Sequence, residues 1–229
     1  MKTIGLIGGT SWESTAVYYK LINQEIQKRL GGLNSAKLIL HSLNMEEFKQ
    51  LQLDGKMNEA CALYCEAANK LELGGADMIL IGANTPHIFA PEIQKHISIP
   101  IVHIARATGQ AIKEAGLSSV GLLGTKITME QDFYKKILTE EFGLTVLIPD
   151  QEGRDYIDGK IFSEFCLGQF TEETRIGYLE IMNKLKAQGT QGMILGCTEI
   201  PILINKEHTD ILLFDTTRIH ALEAVDKAL

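Results

Sequence analysis

Two stretches of the chain end an apolar run in polar, reactive side chains. Met193-Ile194-Leu195-Gly196-Cys197-Thr198-Glu199 sets a thiol directly after a glycine, and Met78-Ile79-Leu80-Ile81-Gly82-Ala83-Asn84-Thr85-Pro86 sets an amide and a hydroxyl after one. A thiolate, with a reference pKa of about 8.5, is a competent general base. The Thr85 hydroxyl can donate or relay a proton, but it is too weak an acid to stand as a free alkoxide near neutral pH. The Asn84 amide both donates and accepts, so it can hold a carboxylate or an amino group. Glu199 either orients a substrate ammonium or opens a helix as a first-turn acid. His87 has three readings: a cleft residue, a surface residue, or a cap on the next helix. No basic residue lies close to Cys197 in sequence, so any lowering of its pKa would have to come from backbone N–H groups.

The other reactive types point to packing. Cys61 and Cys65 stand one helical turn apart with nothing nearby to complete a tetrahedral metal set, and Cys166 falls in an apolar-periodic stretch. The six histidines form no H-E-x-x-H cluster, so no metal site is expected. Gly5, Gly8 and Gly9 do not have the spacing of a dinucleotide fingerprint, and no phosphate-loop pattern occurs. They suit a tight turn whose exposed N–H groups can receive a carboxylate.

Side chains of this kind need strands to present them. Ile4 to Gly9 reads as a short buried strand, followed by a helix from about Trp12 to Leu30 with Thr10 and Glu13 as its capping box. Lys37 to Leu43 and Ala76 to Ile81 read as strands, with a helix over about 58–74 between them. The continuous apolar runs suit a parallel sheet covered on both faces. Ser119 to Thr125 repeats the pattern of Thr3 to Gly9. Thr128 and Gln131 form the next capping box, before a helix to about Phe142. Then come a strand over 145–148, a helix over 171–188, a strand over 192–195, a strand over 211–214 and a helix from about Thr217. From Gly5 to Thr85 is 80 residues, and from Gly121 to Cys197 is 76. The repeat predicts two similar α/β domains, 1–100 plus 210–229 and 101–209, each a parallel sheet flanked by helices. Ligands of such sheets sit beyond the C-terminal strand ends. A pseudo-twofold pair would therefore share a site in the cleft between the domains, fed by Thr10, Thr85, Thr125 and Cys197.

The chain has 229 residues, 45% hydrophobic, with a formal net charge of -7. It carries no block of Lys and Arg such as a nucleic-acid surface needs. No apolar run approaches a membrane span, nothing at the start resembles a signal peptide, and four scattered cysteines suit a reducing compartment. A cytoplasmic protein with neither nucleic-acid nor membrane partner is expected.

GLIGGTSWEST at the start, GANTPH in the middle, GLLGT with Thr128 and Met129 after it, and GCTE near the end together resemble the aspartate/glutamate racemase family, in its aspartate racemase branch. The resemblance spans almost the whole chain. It implies a two-domain α/β enzyme, commonly a homodimer, that racemises an acidic amino acid without pyridoxal phosphate or metal. Two groups flank the substrate Cα, and the matching positions are taken as Thr85 and Cys197. The same resemblance puts Thr10, Asn84, Pro86, Thr125 and Thr198 around the substrate, and Gln52 in a substrate-contacting segment. Many relatives carry cysteine at both catalytic positions, so Thr85 is a departure. Asn44 stands where aspartate is common, and Leu167 where some relatives have a basic residue. Lys126, Arg154 and Lys160 are the candidates left to hold a distal carboxylate. Two alternatives stay open: a single-cysteine isomerase or decarboxylase of small dicarboxylates, and a binding protein for acidic amino acids that has lost catalysis.

Overall fold

The computed structural model describes all 229 residues, Met1–Leu229. The chain divides into two units, Met1–Ile104 with His220–Leu229, and Ala105–Ile219.

The first unit runs β1 (Ile4–Gly8), α1 (Trp12–Leu30), β2 (Leu38–Ser42), α2 (Met45–Leu53), α3 (Met57–Leu73), β3 (Met78–Ile81), a 3-10 turn (Thr85–Phe89), α4 (Ala90–His96) and β4 (Ile101–Val102). Its sheet has the order β2-β1-β3-β4, all parallel. Alternation along β1 feeds two cores. Ile4 and Leu6 meet Tyr18, Ile22 and Ile26 of α1, while Ile7 meets Tyr64, Ala67 and Leu71 of α3. Both faces are covered, which is why the strands are apolar throughout.

The second unit begins in α5 (Ile104–Glu114) and continues through β5 (Ser119–Gly124), α6 (Lys126–Glu130), α7 (Asp132–Glu140), β6 (Thr145–Leu147), α8 (Gln151–Ser163), a 3-10 turn (Phe165–Leu167), α9 (Glu172–Ala187), β7 (Gly192–Gly196), α10 (Ile200–Leu203), β8 (Leu212–Asp215) and the start of α11 (Thr216–Ala228). Its sheet, β6-β5-β7-β8, is again all parallel and repeats the order of the first. Tyr134, Tyr178, Ile157, Met182 and Leu185 are buried in this unit.

Several expectations need correction. The segment from 210 does not return whole to the first unit. β8 pairs with β7, so residues up to Ile219 belong with the second sheet, and only the tail of α11 crosses back. Residues 101–104 belong to the first unit, because β4 pairs with β3. The cap of α1 is Ser11, whose side chain accepts from Ser14 N–H, and not Thr10. Thr125, not Thr128, caps the next helix, which breaks at Gln131 into α6 and α7. Cys166 is exposed on the 3-10 turn rather than packed.

No helix is long and apolar enough to cross a membrane. No group of three or more His, Cys, Asp or Glu side chains is placed to hold a metal ion.

Candidate active site

In each unit, polar residues gather where the parallel strands end, and glycines let the chains close on one another there. Gly9 follows β1 at φ +83°, where an added Cβ would lie 2.0 Å from the Leu43 carbonyl oxygen. Only glycine tolerates that conformation and that approach together. The turn it makes is held by Thr15, whose Oγ1 accepts from Gly9 N–H at 2.8 Å and donates to the Ser11 carbonyl at 2.9 Å. Ser14 donates to the Gly82 carbonyl at 3.0 Å, tying the α1 N-terminus to the end of β3.

Within the first unit, Thr10 is buried and its Oγ1 lies 2.7 Å from Tyr64 Oη. Burial pushes the Tyr64 phenol well above its usual 10.0, so Tyr64 keeps its proton. Phe48, one turn before Gln52 on α2, packs edge-on against Tyr64 at 5.4 Å. Gln52 Nε2 is buried with no hydrogen-bond partner, a donor that a ligand oxygen would satisfy. Asn44 caps α2, accepting from Glu46 N–H. At the end of β3, Asn84 and Pro86 are buried, whereas Ala83 and Thr85 remain partly exposed.

His87 is neither a surface residue nor a helix cap. It is fully buried, its Nδ1 donates to the Ala83 carbonyl at 2.8 Å, and its Nε2 accepts from Ile104 N–H at 3.2 Å. Both bonds need the neutral ring, and burial holds its pKa well below the usual 6.5. His220 stands beside it, 5.4 Å between ring centroids. Its Nε2 donates to the Val102 carbonyl at 2.6 Å, leaving Nδ1 to accept from Tyr18 Oη at 2.8 Å. His87 thus ties the turn before Thr85 to the residue at which the chain leaves the first unit.

Within the second unit, Gly124 and Gly196 are ladder partners, so Thr125 and Cys197 leave adjacent strands side by side. Thr125 caps α6, lying 3.1 Å from Thr128 Oγ1 and accepting from Thr128 N–H. Cys197 Sγ donates to Glu199 Oε2 at 3.0 Å, and Thr198 Oγ1 donates to the same oxygen at 2.6 Å. Glu199 is only 5% exposed. The Glu199 backbone N–H pulls the thiol pKa down, as expected of such a group, but it is outweighed. Burial raises it well above 9.0, and the negative charge of Glu199 beside it adds to the rise. At rest the residue is a thiol hydrogen-bonded to a carboxylate, a pair built to pass one proton.

The three candidate cations are all engaged. Lys126 is paired with Asp155, Arg154 with Glu130 at 2.8 Å, and Lys160 with Glu164. Leu167 is exposed.

The ladders also fix which residues of the two units are equivalent. Ile7 pairs with Ile81 and Leu123 with Leu195, each one residue before a glycine that ends β1 or β5. Counting onward, Gly82 matches Gly196, Ala83 matches Cys197, and Thr85 matches Glu199. Sequence reasoning missed this correspondence, and with it the carboxylate partner of Cys197 and the tyrosine partner of Thr10.

The Asp/Glu/Hydantoin racemase model matches residues 7–224. A candidate Asp/Glu racemase from Yersinia pestis is 46% identical, covering 100% of this chain and 99% of that one, with a TM-score of 0.93. An aspartate racemase homologue from Pyrococcus horikoshii OT3 is 35% identical over 100% of this chain and 99% of that one, with a TM-score of 0.84. The broad specificity amino-acid racemase RacX of Bacillus subtilis is 28% identical over 59% of this chain, and the match spans 60% of its own length. With that match running from within β1 into α11, the chain belongs to the Asp/Glu/Hydantoin racemase family.

Proposed function

We propose that the protein racemises an acidic amino acid, aspartate and with it glutamate, by moving the proton on Cα without pyridoxal phosphate or metal. The observation that carries the reading is the Cys197 thiol donating to the buried Glu199 carboxylate at 3.0 Å, at the end of a parallel strand. Relatives described as amino-acid racemases and as an aspartate racemase homologue support it.

Glu199 accepts the thiol proton, the Cys197 thiolate removes the Cα proton, and a carbanion delocalised into the α-carboxylate forms. Thr10, Asn84, Thr125 and Thr198 donate to the substrate carboxylates beside an apolar contact from Pro86, and the buried Gln52 Nε2 donates to one of them. Donors of this kind bind more tightly as charge spreads into the carboxylate, so they lower the barrier as well as the substrate's free energy. We assign Thr85 the opposite face, as relay of a solvent proton. Since the three nearby cations are already paired, neutral donors do most of the work on the distal carboxylate. A cytoplasmic homodimer is the setting we propose. The net charge of -7 accords with an enzyme that does not bind nucleic acid.

One observation favours a second reading. Ala83 at the position equivalent to Cys197 suits a single-cysteine isomerase or decarboxylase of small dicarboxylates. Maleate and a 2-substituted malonate, assayed beside aspartate, separate the two.

The test is incubation with L- and D-aspartate and L- and D-glutamate in D2O. Loss of the Cα–H signal and appearance of the other enantiomer are expected. Folded protein that leaves every Cα–H in place refutes the reading.

A further inference from the structure

Racemisation needs proton transfer at both faces of one carbon, and the ladder registers show that the two units are not equally equipped for it. Ile7 with Ile81 and Leu123 with Leu195 are equivalent rungs, and the glycine after each repeats the same close approach. A Cβ on Gly82 would lie 3.1 Å from the Ile7 carbonyl oxygen, and one on Gly196 would lie 2.6 Å from that of Leu123. Neither strand has slipped by a residue, which would send the side chains to the other side. The next residue is partly exposed in both units: Ala83 in one, Cys197 in the other. A methyl group has no proton to give or take. Thr85, the nearest hydroxyl to Ala83 in sequence, matches Glu199 instead and opens a 3-10 turn.

We infer that proton transfer is lopsided, with Cα–H exchange from the Cys197 side outrunning inversion, and that Ala83 is the residue that limits inversion. The inference rests on the racemase reading above and sharpens it. When the thiolate takes the Cα proton, the thiol's former proton sits on Glu199. In D2O these acidic positions exchange, and Sγ–D returns a deuteron to the carbanion on the face it left. The product is labelled substrate of unchanged hand. Inversion instead requires a proton at the other face of Cα, and Ala83, the equivalent of Cys197, has none to give, so a relayed water replaces a positioned acid. A positioned acid or base contributes about 10²–10⁴-fold, so exchange with retention exceeds inversion at least tenfold for one enantiomer. The other enantiomer presents its Cα–H to the face opposite Cys197 and exchanges only as it inverts. The equilibrium constant stays at one, and kcat/KM for the two directions stays equal.

The experiment follows both label and chirality from each pure aspartate enantiomer in D2O, by NMR and chiral chromatography. The wild type is compared with Ala83→Cys and with the double variant Ala83→Cys, Cys197→Ala. For the wild type, one enantiomer is expected to gain deuterium at least tenfold faster than it inverts. Ala83→Cys is expected to raise inversion tenfold or more and bring the ratio near one. The double variant is expected to move exchange with retention to the opposite enantiomer. Wild-type exchange equal to inversion for both enantiomers overturns the inference and leaves the racemase reading standing. So does a folded Ala83→Cys protein whose ratio is unchanged. Absence of exchange in wild type from either enantiomer overturns both. The wild-type ratio decides even where a variant fails to fold.

Discussion

Replacing Glu199 by Gln should make Cys197 more reactive toward an alkylating agent while making the enzyme worse. The carboxylate oxygen lies 3.0 Å from Sγ, and burial, then this charge, raises the thiol pKa. Removing that charge lowers the thiol pKa, so more of Cys197 stands as thiolate near neutral pH. A less basic thiolate is a poorer nucleophile, with a Brønsted slope of about 0.4–0.5, so each tenfold gain in thiolate keeps about threefold in rate. The net expectation is alkylation of Cys197 at least about threefold faster near neutral pH.

Turnover should move the other way, by about a hundredfold, because the glutamine amide cannot take the thiol proton. The assay is iodoacetamide labelling read at the Cys197 peptide by mass spectrometry, since Cys61, Cys65 and Cys166 are also free thiols. Aspartate exchange is measured on the same samples. Alkylation that is unchanged or slower in the Gln variant, or turnover that survives intact, would refute the coupling of thiol and carboxylate.

Cys197→Ala should abolish Cα–H exchange at a stability cost below about 1 kcal/mol, since the side chain is partly exposed; urea unfolding beside the exchange assay checks both. Acid should loosen the first unit. His220 titrates at about 4 in the fold against 6.5 ordinarily, and burial depresses His87 in the same direction. Both rings are therefore neutral in the fold but protonated in the unfolded chain below about pH 6.5. Stability is complete above that value and drains as pH falls toward about 4, by roughly 3 kcal/mol from His220 alone. Urea midpoints across this range should fall accordingly, and a flat profile would contradict it. Gly9→Ala combines a φ of +83° with a Cβ 2.0 Å from a backbone oxygen; soluble, folded protein in normal yield would contradict that geometry. Tyr64→Phe deletes the partner of Thr10 and should cost about 1 kcal/mol of stability while raising KM for aspartate.

Much of the fold was legible because the strands are buried on both faces and end in glycines. β1, β3, β5 and β7, the four central strands, announce themselves as apolar runs, and α1, α3 and α9 as periodic segments between them. α8 was not legible: QEGRDYIDGKIFS carries two glycines, which lower helix propensity. Asp150 restores it by capping the first turn, accepting from Gly153 N–H at 2.8 Å. The boundary near 210 was misplaced for a different reason. β8 is a short apolar strand that would suit the edge of either sheet, and only its pairing with β7 decides. The sequence leaves His87 open to a cleft, a surface or a helix-cap reading. Its burial depends on Ile104 N–H and the His220 ring, which the sequence sets far away.

The site shows the sharpest division between what a sequence displays and what a ladder decides. Counting from the repeated glycines to the nearest reactive side chain pairs Thr85 with Cys197, because chemistry was the landmark. Counting by ladder rung pairs Ala83 with Cys197 and Thr85 with Glu199. A shift of one residue along an extended chain reverses the side a side chain faces. Thr85 opens the 3-10 turn at the position equivalent to Glu199, so a hydroxyl there stands in the carboxylate's place and not in the thiol's. The unit with Cys197 places thiol and proton acceptor two residues apart at one strand end. The unit with Thr85 keeps the glycine of that arrangement and holds a methyl where the sulfur would be. Restoring sulfur at residue 83 thus asks directly whether the scaffold around it is still shaped for proton transfer.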